Sequence, residues 1–267
     1  MNKELEEKLI KEVKEDPYCL KYLIEQTDKI RLAAVKVKGM ALQFIEDQTE
    51  EVCLEAVKEH GDALKYVKHQ NDKICLEAVK QNGYALRYVE HQTPEICLEA
   101  VKSKAYSFQF VEDQTEEVCL EAVKRDGYNL ELLKHQTEEL CLIGVKQKGY
   151  VLRYVKDKTE RICLASVKQD GQNLRYIDNP TDRVCLEALK QNLDVVSMLN
   201  IHKRNVALIV LNAYLYHKSK DKKILNNIIE EFNEDKEIVD FYTKHKLWKY
   251  VDFNKLDIKL TQYGMTI

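Results

Sequence analysis

No stretch of this sequence reaches the roughly 18 uninterrupted apolar residues that a membrane-crossing helix needs. The opening MNKELEEKLIKEVKEDPY is charged and lacks the continuous apolar core of a secretory leader. A soluble protein with no membrane partner is expected. The formal net charge of -3 leaves no global field to draw the chain onto nucleic acid or an anionic surface. Motifs that carry common chemistry are missing as well. There is no CxxC pair for zinc, no phosphate-cradling glycine loop, no nucleophile elbow and no HExxH, and serine is scarce. These gaps point away from an enzyme, a resident metal and a cofactor.

What the sequence does contain is a repeat. Cys53, Cys75, Cys97, Cys119, Cys141, Cys163 and Cys185 stand 22 residues apart, and their neighbours recur in the same register. A fixed short period marks one supersecondary unit that cannot bury its apolar face alone and is stacked many times. The even spacing also argues against cross-linking. Equivalent positions of adjacent packed helices lie about 8–10 Å apart, beyond the ~7 Å Cα separation a disulfide allows, and zinc needs its ligands around one point. Buried, reduced thiols are expected, and with them a reducing, cytoplasmic compartment.

Within residues 48–69, Thr49 is a helix N-cap, and Glu50 and Glu51 favour the positive end of the helix dipole. Thr27, Thr93, Thr115, Thr137, Thr159 and Thr181 repeat the cap, Asn71 is its equivalent, and Pro94 suits a first helical position. Val52, Cys53, Leu54, Ala56 and Val57 cover most of the helix circumference, so the helix must lie between neighbours. Gly61 is expected to end it in the left-handed conformation, as are Gly39, Gly83, Gly127, Gly149 and Gly171. A second helix of about two turns follows, with Ala63, Leu64, Tyr66 and Val67 inward. A leucine-rich β-horseshoe is excluded by the absence of LxxLxL patterning.

Counting in steps of 22 predicts an all-α fold: an α-solenoid of nine two-helix repeats over residues 1–202, followed by a helical C-terminal cap and tail over residues 203–267. The first and last units are irregular, as end caps should be. In the second unit Arg31 stands where cysteine is due. In the tail, residues 205–217 predict a helix covering the last repeat, 218–223 a basic loop, 224–232 and 235–252 further helices, and 256–267 a strand-like end.

Residues 73–102, KICLEAVKQNGYALRYVEHQTPEICLEAVK, with their AVKxxGxxLxYV pattern, resemble the tandem helical-repeat domain of unknown function abundant in giant amoeba viruses of the mimivirus type and found in some bacteria and phages. The resemblance spans about residues 4–201. It implies a helical array and a viral source, and it transfers no active site. Ala105 in place of glycine and Leu132 in place of tyrosine depart from the pattern within single units.

The candidate binding surface is a column of Tyr84, Tyr106, Tyr128 and Tyr150, one residue past the glycine position, with Arg87 and Arg153 three residues on. Tyrosine and arginine are enriched at interface hot spots, so a protein-binding scaffold is the leading function. The second column, Tyr22, Tyr66, Tyr88, Tyr154 and Tyr176, is expected in the core. Lys14, Lys36, Lys58, Lys80, Lys102, Lys124, Lys146, Lys168 and Lys190 form a ladder that could track a nucleic acid. Each lysine, though, suits a helix C-terminus, and Glu55, Glu77, Glu99, Glu121 and Glu187 lie within pairing distance. A module that sequesters a nucleotide or other small anion is the remaining alternative. His69, His91 and His135 share one position with Asp47, Asp113 and Asp157, and are expected to be solvated.

Overall fold

Each long helix begins at a residue held in the extended region whose side chain accepts a backbone N–H. Thr49 (φ −83°, ψ 156°) accepts from Val52, and Asn71, Thr93, Thr115, Thr137, Thr159 and Thr181 cap in the same way. Thr27 is the exception: its hydroxyl instead donates to Glu6 Oε1 at 2.7 Å, across to the preceding helix. The computed structural model describes residues 2–199 and, beyond them, residues 207, 209–211, 227–228, 235–236, 238, 240 and 244.

The long helices are α1 (Lys3–Glu15), α2 (Asp28–Val37), α3 (Glu50–Glu59), α4 (Asp72–Gln81), α5 (Pro94–Ser103), α6 (Glu116–Arg125), α7 (Glu138–Gln147), α8 (Glu160–Val167) and α9 (Asp182–Gln191). A six-residue 3₁₀ helix follows each: η1 (Pro17–Tyr22), η2 (Gly39–Phe44), η3 (Gly61–Tyr66), η4 (Gly83–Tyr88), η5 (Ala105–Phe110), η6 (Gly127–Leu132), η7 (Gly149–Tyr154), η8 (Gly171–Tyr176) and η9 (Leu193–Met198). There is no strand among the described residues, and the alternation is that of an α-solenoid with nine helix pairs.

The expected left-handed glycine is not found: among the described residues no glycine adopts positive φ in that region. The chain leaves α3 through an extended His60 (φ −146°, ψ 108°), whose N–H still reaches Ala56 O at 2.9 Å, and Gly61 is the first residue of η3. Glycine is needed there for a different reason. A Cβ on Gly61 would stand 2.5 Å from the Ala78 carbonyl oxygen of the next unit, so successive repeats meet backbone to backbone. The freed Gly61 N–H donates to Gln81 Oε1 at 2.7 Å. Asn82, Asp126, Asp170 and Asn192 cap the 3₁₀ helices that follow them.

With three residues per turn, positions i and i+3 of a 3₁₀ helix eclipse. Gly61 and Leu64 therefore line one edge, continued by Val67, and all three are buried. Six residues is a long run for this helix type, and it persists because within each unit the η elements pack on one another and on the flanking α helices.

The chain divides into two units. In Met1–Gly144, successive α helices stack side by side and the η helices form a parallel row, around a core that includes Ile30, Leu42, Leu64, Ile74, Leu86, Ile96 and Phe108. In Val145–Ile267, Val184, Ala188, Leu189 and Val195 share one core with Ala207, Val210, Leu211, Ile228 and Ile238. The described tail residues thus bury apolar side chains against the last repeat. The basic loop 218–223 and the strand-like end 256–267 lie outside the described residues.

Candidate protein-binding face

The 3₁₀ geometry places the predicted tyrosines. Tyr84, Tyr106 and Tyr128 occupy equivalent positions of the stacked η4, η5 and η6 in the first unit; Tyr150 holds that position on η7 in the second. Tyr106 is the most open, 56% exposed, and Tyr150 is 36% exposed, while Tyr84 and Tyr128 are half-buried. Tyr84 presents its ring to the edge of Phe110 in the next repeat, centroids 6.4 Å apart. Tyr18 does the same to Phe44 at 5.7 Å. The column is therefore part surface and part inter-repeat packing.

Both predicted arginines stack on the tyrosine that follows them in the chain. The Arg87 guanidinium lies 4.7 Å over the Tyr88 ring and pairs with Asp62 at 2.9 Å, the residue that interrupts the tyrosine column one unit earlier. Arg153 lies 4.6 Å over Tyr154 and donates to its hydroxyl at 2.6 Å. Lys65 over Tyr66 and Arg175 over Tyr176 repeat the stacking at 5.5 and 5.3 Å.

The second tyrosine column is accordingly not core. Tyr66, Tyr88, Tyr154 and Tyr176 are half-buried and Tyr22 is exposed. The residue two places earlier (Leu64, Leu86, Leu152, Leu174) is buried instead. A period of three puts that leucine on the inward edge and leaves the ring at the rim. The recurring basic–aromatic dipeptides, Lys65-Tyr66, Arg87-Tyr88, Arg153-Tyr154 and Arg175-Tyr176, were the available signal. A cation that must cover an adjacent ring has no use inside a core.

A second feature absent from the sequence reading is a glutamine clamp between connecting loops. Gln70, ahead of α4, donates from Nε2 to Tyr88 O at 2.8 Å, at the end of η4. Its Oε1 accepts from Glu90 N at 3.1 Å and from the Cys75 thiol at 3.4 Å. Gln48 with Cys53, and Gln92 with Cys97, do the same. Cys53, Cys75 and Cys97 are thus buried hydrogen-bond donors as well as small apolar fillers. All eight cysteines are free. Burial, reinforced by the Asp72 and Glu90 carboxylates, pushes the Cys75 thiol up to about 11. Cys53, Cys97 and Cys185 are likewise pushed up to about 11, chiefly by burial.

Lys58, Lys80, Lys102 and Lys190 pair with Glu55, Glu77, Glu99 and Glu187 at 3.0, 3.4, 2.8 and 3.7 Å. The hydrogen bond to its glutamate holds the Lys58 ammonium above the usual lysine range, and the same is true of Lys102. His69, His91 and His135 are exposed. Among the described residues no group of three or more His, Cys, Asp and Glu comes together, and no helix is long and apolar enough to cross a membrane.

A family described as a domain of unknown function (DUF4116) matches residues 49–92 and 71–115, two overlapping copies laid over α3 to η5. No curated protein and no solved structure matches the chain.

Proposed function

We propose that this chain is a non-catalytic repeat scaffold that binds a protein partner along the rims of its 3₁₀ helices. The observation that carries this reading is the exposed Tyr106 ring, set in a row with the half-buried Tyr84 and Tyr128 on stacked elements. Rigid aromatic rings on a packed backbone lose little entropy on binding, and Tyr and Arg supply most hot-spot energy. Arg87, with its head partly open over Tyr88, borders the same row. On the second unit Tyr150, Arg153 and Tyr154 offer the same chemistry.

The pairing of ladder lysines with glutamates favours a protein over a nucleic acid, because a lysine already neutralised at 3 Å releases few counterions on meeting phosphate. Eight free cysteines support a reducing setting, which this reading places in the cytoplasm of an infected host cell. The test is affinity capture from candidate host extract with the native chain and with Tyr106→Ala. A protein retained by the native chain and lost from the variant supports the reading; identical captured sets contradict it.

A further inference from the structure

Lys158 and Pro180 take the place of the clamp glutamine in the last two repeats, but Gln26 keeps the glutamine with the clamp incomplete, and a pocket lies beside it. Gln26, ahead of α2, still donates from Nε2 to Leu20 O and Phe44 O at 3.0 and 3.2 Å. By analogy with Gln70, its Oε1 should also accept from the backbone N–H of Glu46 and from a thiol at position 31. Neither bond forms. Position 31 is arginine, and the Glu46 N–H has no partner among the described residues. A guanidinium is too long to sit where Cys53 or Cys75 sits, and beside it lies a pocket of about 390 Å³. That volume is within the range of small-ligand sites. None of its lining residues comes from the second unit.

The lining has two halves. On one side Leu23, Ile24 and Phe44 give a small apolar surface over the buried Leu20, and Ile24 is fully exposed. Facing it are Arg31, Gln26 and the Glu46 segment, which together offer unfilled donors and one unfilled acceptor. The Arg31 side chain is only 14% exposed, and its Nε is buried without a partner. Its two terminal nitrogens meet Asp28 and Asp47 at 3.3 and 3.2 Å, each through a single contact to a carboxylate that is 63% and 87% exposed. Such pairs are weak and easily exchanged. A guanidinium engages a planar carboxylate best through two parallel bonds, which neither aspartate makes.

We propose that this pocket binds a carboxylate carried on an apolar body, as presented by the C-terminal residue of a peptide. The carboxylate takes the Arg31 terminal nitrogens and the Glu46 N–H, displacing the Asp47 contact. The last side chain packs on Leu23, Ile24 and Phe44. The final peptide N–H donates to Gln26 Oε1, the acceptor that a thiol fills at Gln48, Gln70 and Gln92. The carboxylates of Asp28, Glu46 and Asp47 and the single Lys21 ammonium leave the rim acidic, which excludes polyanions and selects a single charge next to apolar surface.

The test is ¹H–¹⁵N correlation NMR of the full chain titrated with three probes: N-acetyl-glycyl-leucine, its carboxamide, and 4-methylpentanoate. The dipeptide acid should give saturable shifts at Glu46 and at the Gln26 side-chain amide, with the carboxamide at least tenfold weaker. The free acid should shift the same resonances several-fold more weakly, since it has no N–H for Gln26. Arg31→Cys, which supplies the residue found at this position from Cys53 to Cys185, should lose at least tenfold in affinity without a lower melting temperature. Carboxamide binding equal to the acid, absence of saturable shifts at these two residues, or unchanged affinity in Arg31→Cys would overturn the proposal. Equal affinity for 4-methylpentanoate would overturn its assignment to a peptide end. The carboxamide arm needs no variant, so a folding defect cannot obscure the outcome.

Discussion

At Gly61 an added Cβ would face the Ala78 carbonyl oxygen at 2.5 Å, whereas at Gly127 it would face the Gly144 oxygen at 2.9 Å, because glycine replaces alanine in that neighbouring helix. Gly61→Ala is therefore expected to cost about 1–3 kcal/mol, as overpacking does, and Gly127→Ala clearly less. Thermal melts of the two variants check the order, and equal losses would contradict a close-approach origin. That a glycine belonged here was legible in the sequence; why it did was not. A glycine just past a helix suits either a left-handed cap or a tight backbone contact, and only the neighbouring repeat distinguishes them. The cysteines were legible as buried thiols, but their bonds to Gln48, Gln70 and Gln92 were not, since those partners lie five residues back across the cap. The raised thiols carry a pH signature. A group whose pKa rises on folding contributes fully below its unfolded value, so stability should hold up to about pH 9 and fall as pH climbs toward 11. Denaturant melts at pH 8 and pH 10.5 measure this, and the loss should shrink in Cys75→Ala. A stability unchanged between the two pH values would mean that the thiols are not shielded.

For the elements, the 22-residue period located the α helices, although Asn2 rather than a threonine caps α1, and the spacing past the glycine position located the second helices even where Pro17, Ala105 and Leu193 stand in its place. The period of that second helix was not legible. Six residues cannot separate a repeat of 3.0 from one of 3.6, and on the wider turn Tyr66 and Tyr88 point inward. The tighter 3₁₀ turn swings them to the rim under Lys65 and Arg87. Of the candidate site, the tyrosine positions were therefore foreseen and the arginine contacts were not. The clamps that hold consecutive elements in register can be measured. Gln70→Ala removes bonds to Tyr88 O and Glu90 N and leaves both short of a partner, for an expected loss of about 2–3 kcal/mol. Gln109→Ala, whose side chain only reaches back to Tyr106 O on the exposed surface, should change stability by less than about 0.5 kcal/mol. Equal effects in urea melts would deny the clamp its structural role.

Within Met1–Gly144 the elements pack within their own repeat and on the next one, so that array should tolerate the loss of one complete unit and no other length. Deleting residues 70–91 brings Gly61 opposite Ala100 and keeps the register, and the product should melt cooperatively with unchanged helicity per residue. Deleting residues 70–80 instead sets a 3₁₀ helix against an α helix and should give a poorly folded chain by circular dichroism. The functional claim rests on the row of rims that this stacking produces, with Tyr106 as its most exposed ring and Arg87 beside it. Its most direct test is the affinity of the captured partner for the native chain and for the double variant Tyr106→Ala, Arg87→Ala, measured by calorimetry beside a thermal melt of each. We expect binding to weaken by about 2 kcal/mol, roughly 30-fold, with the melting temperature lowered by no more than about 2 °C. Unchanged affinity, or a loss of affinity matched by a large fall in melting temperature, would contradict the account.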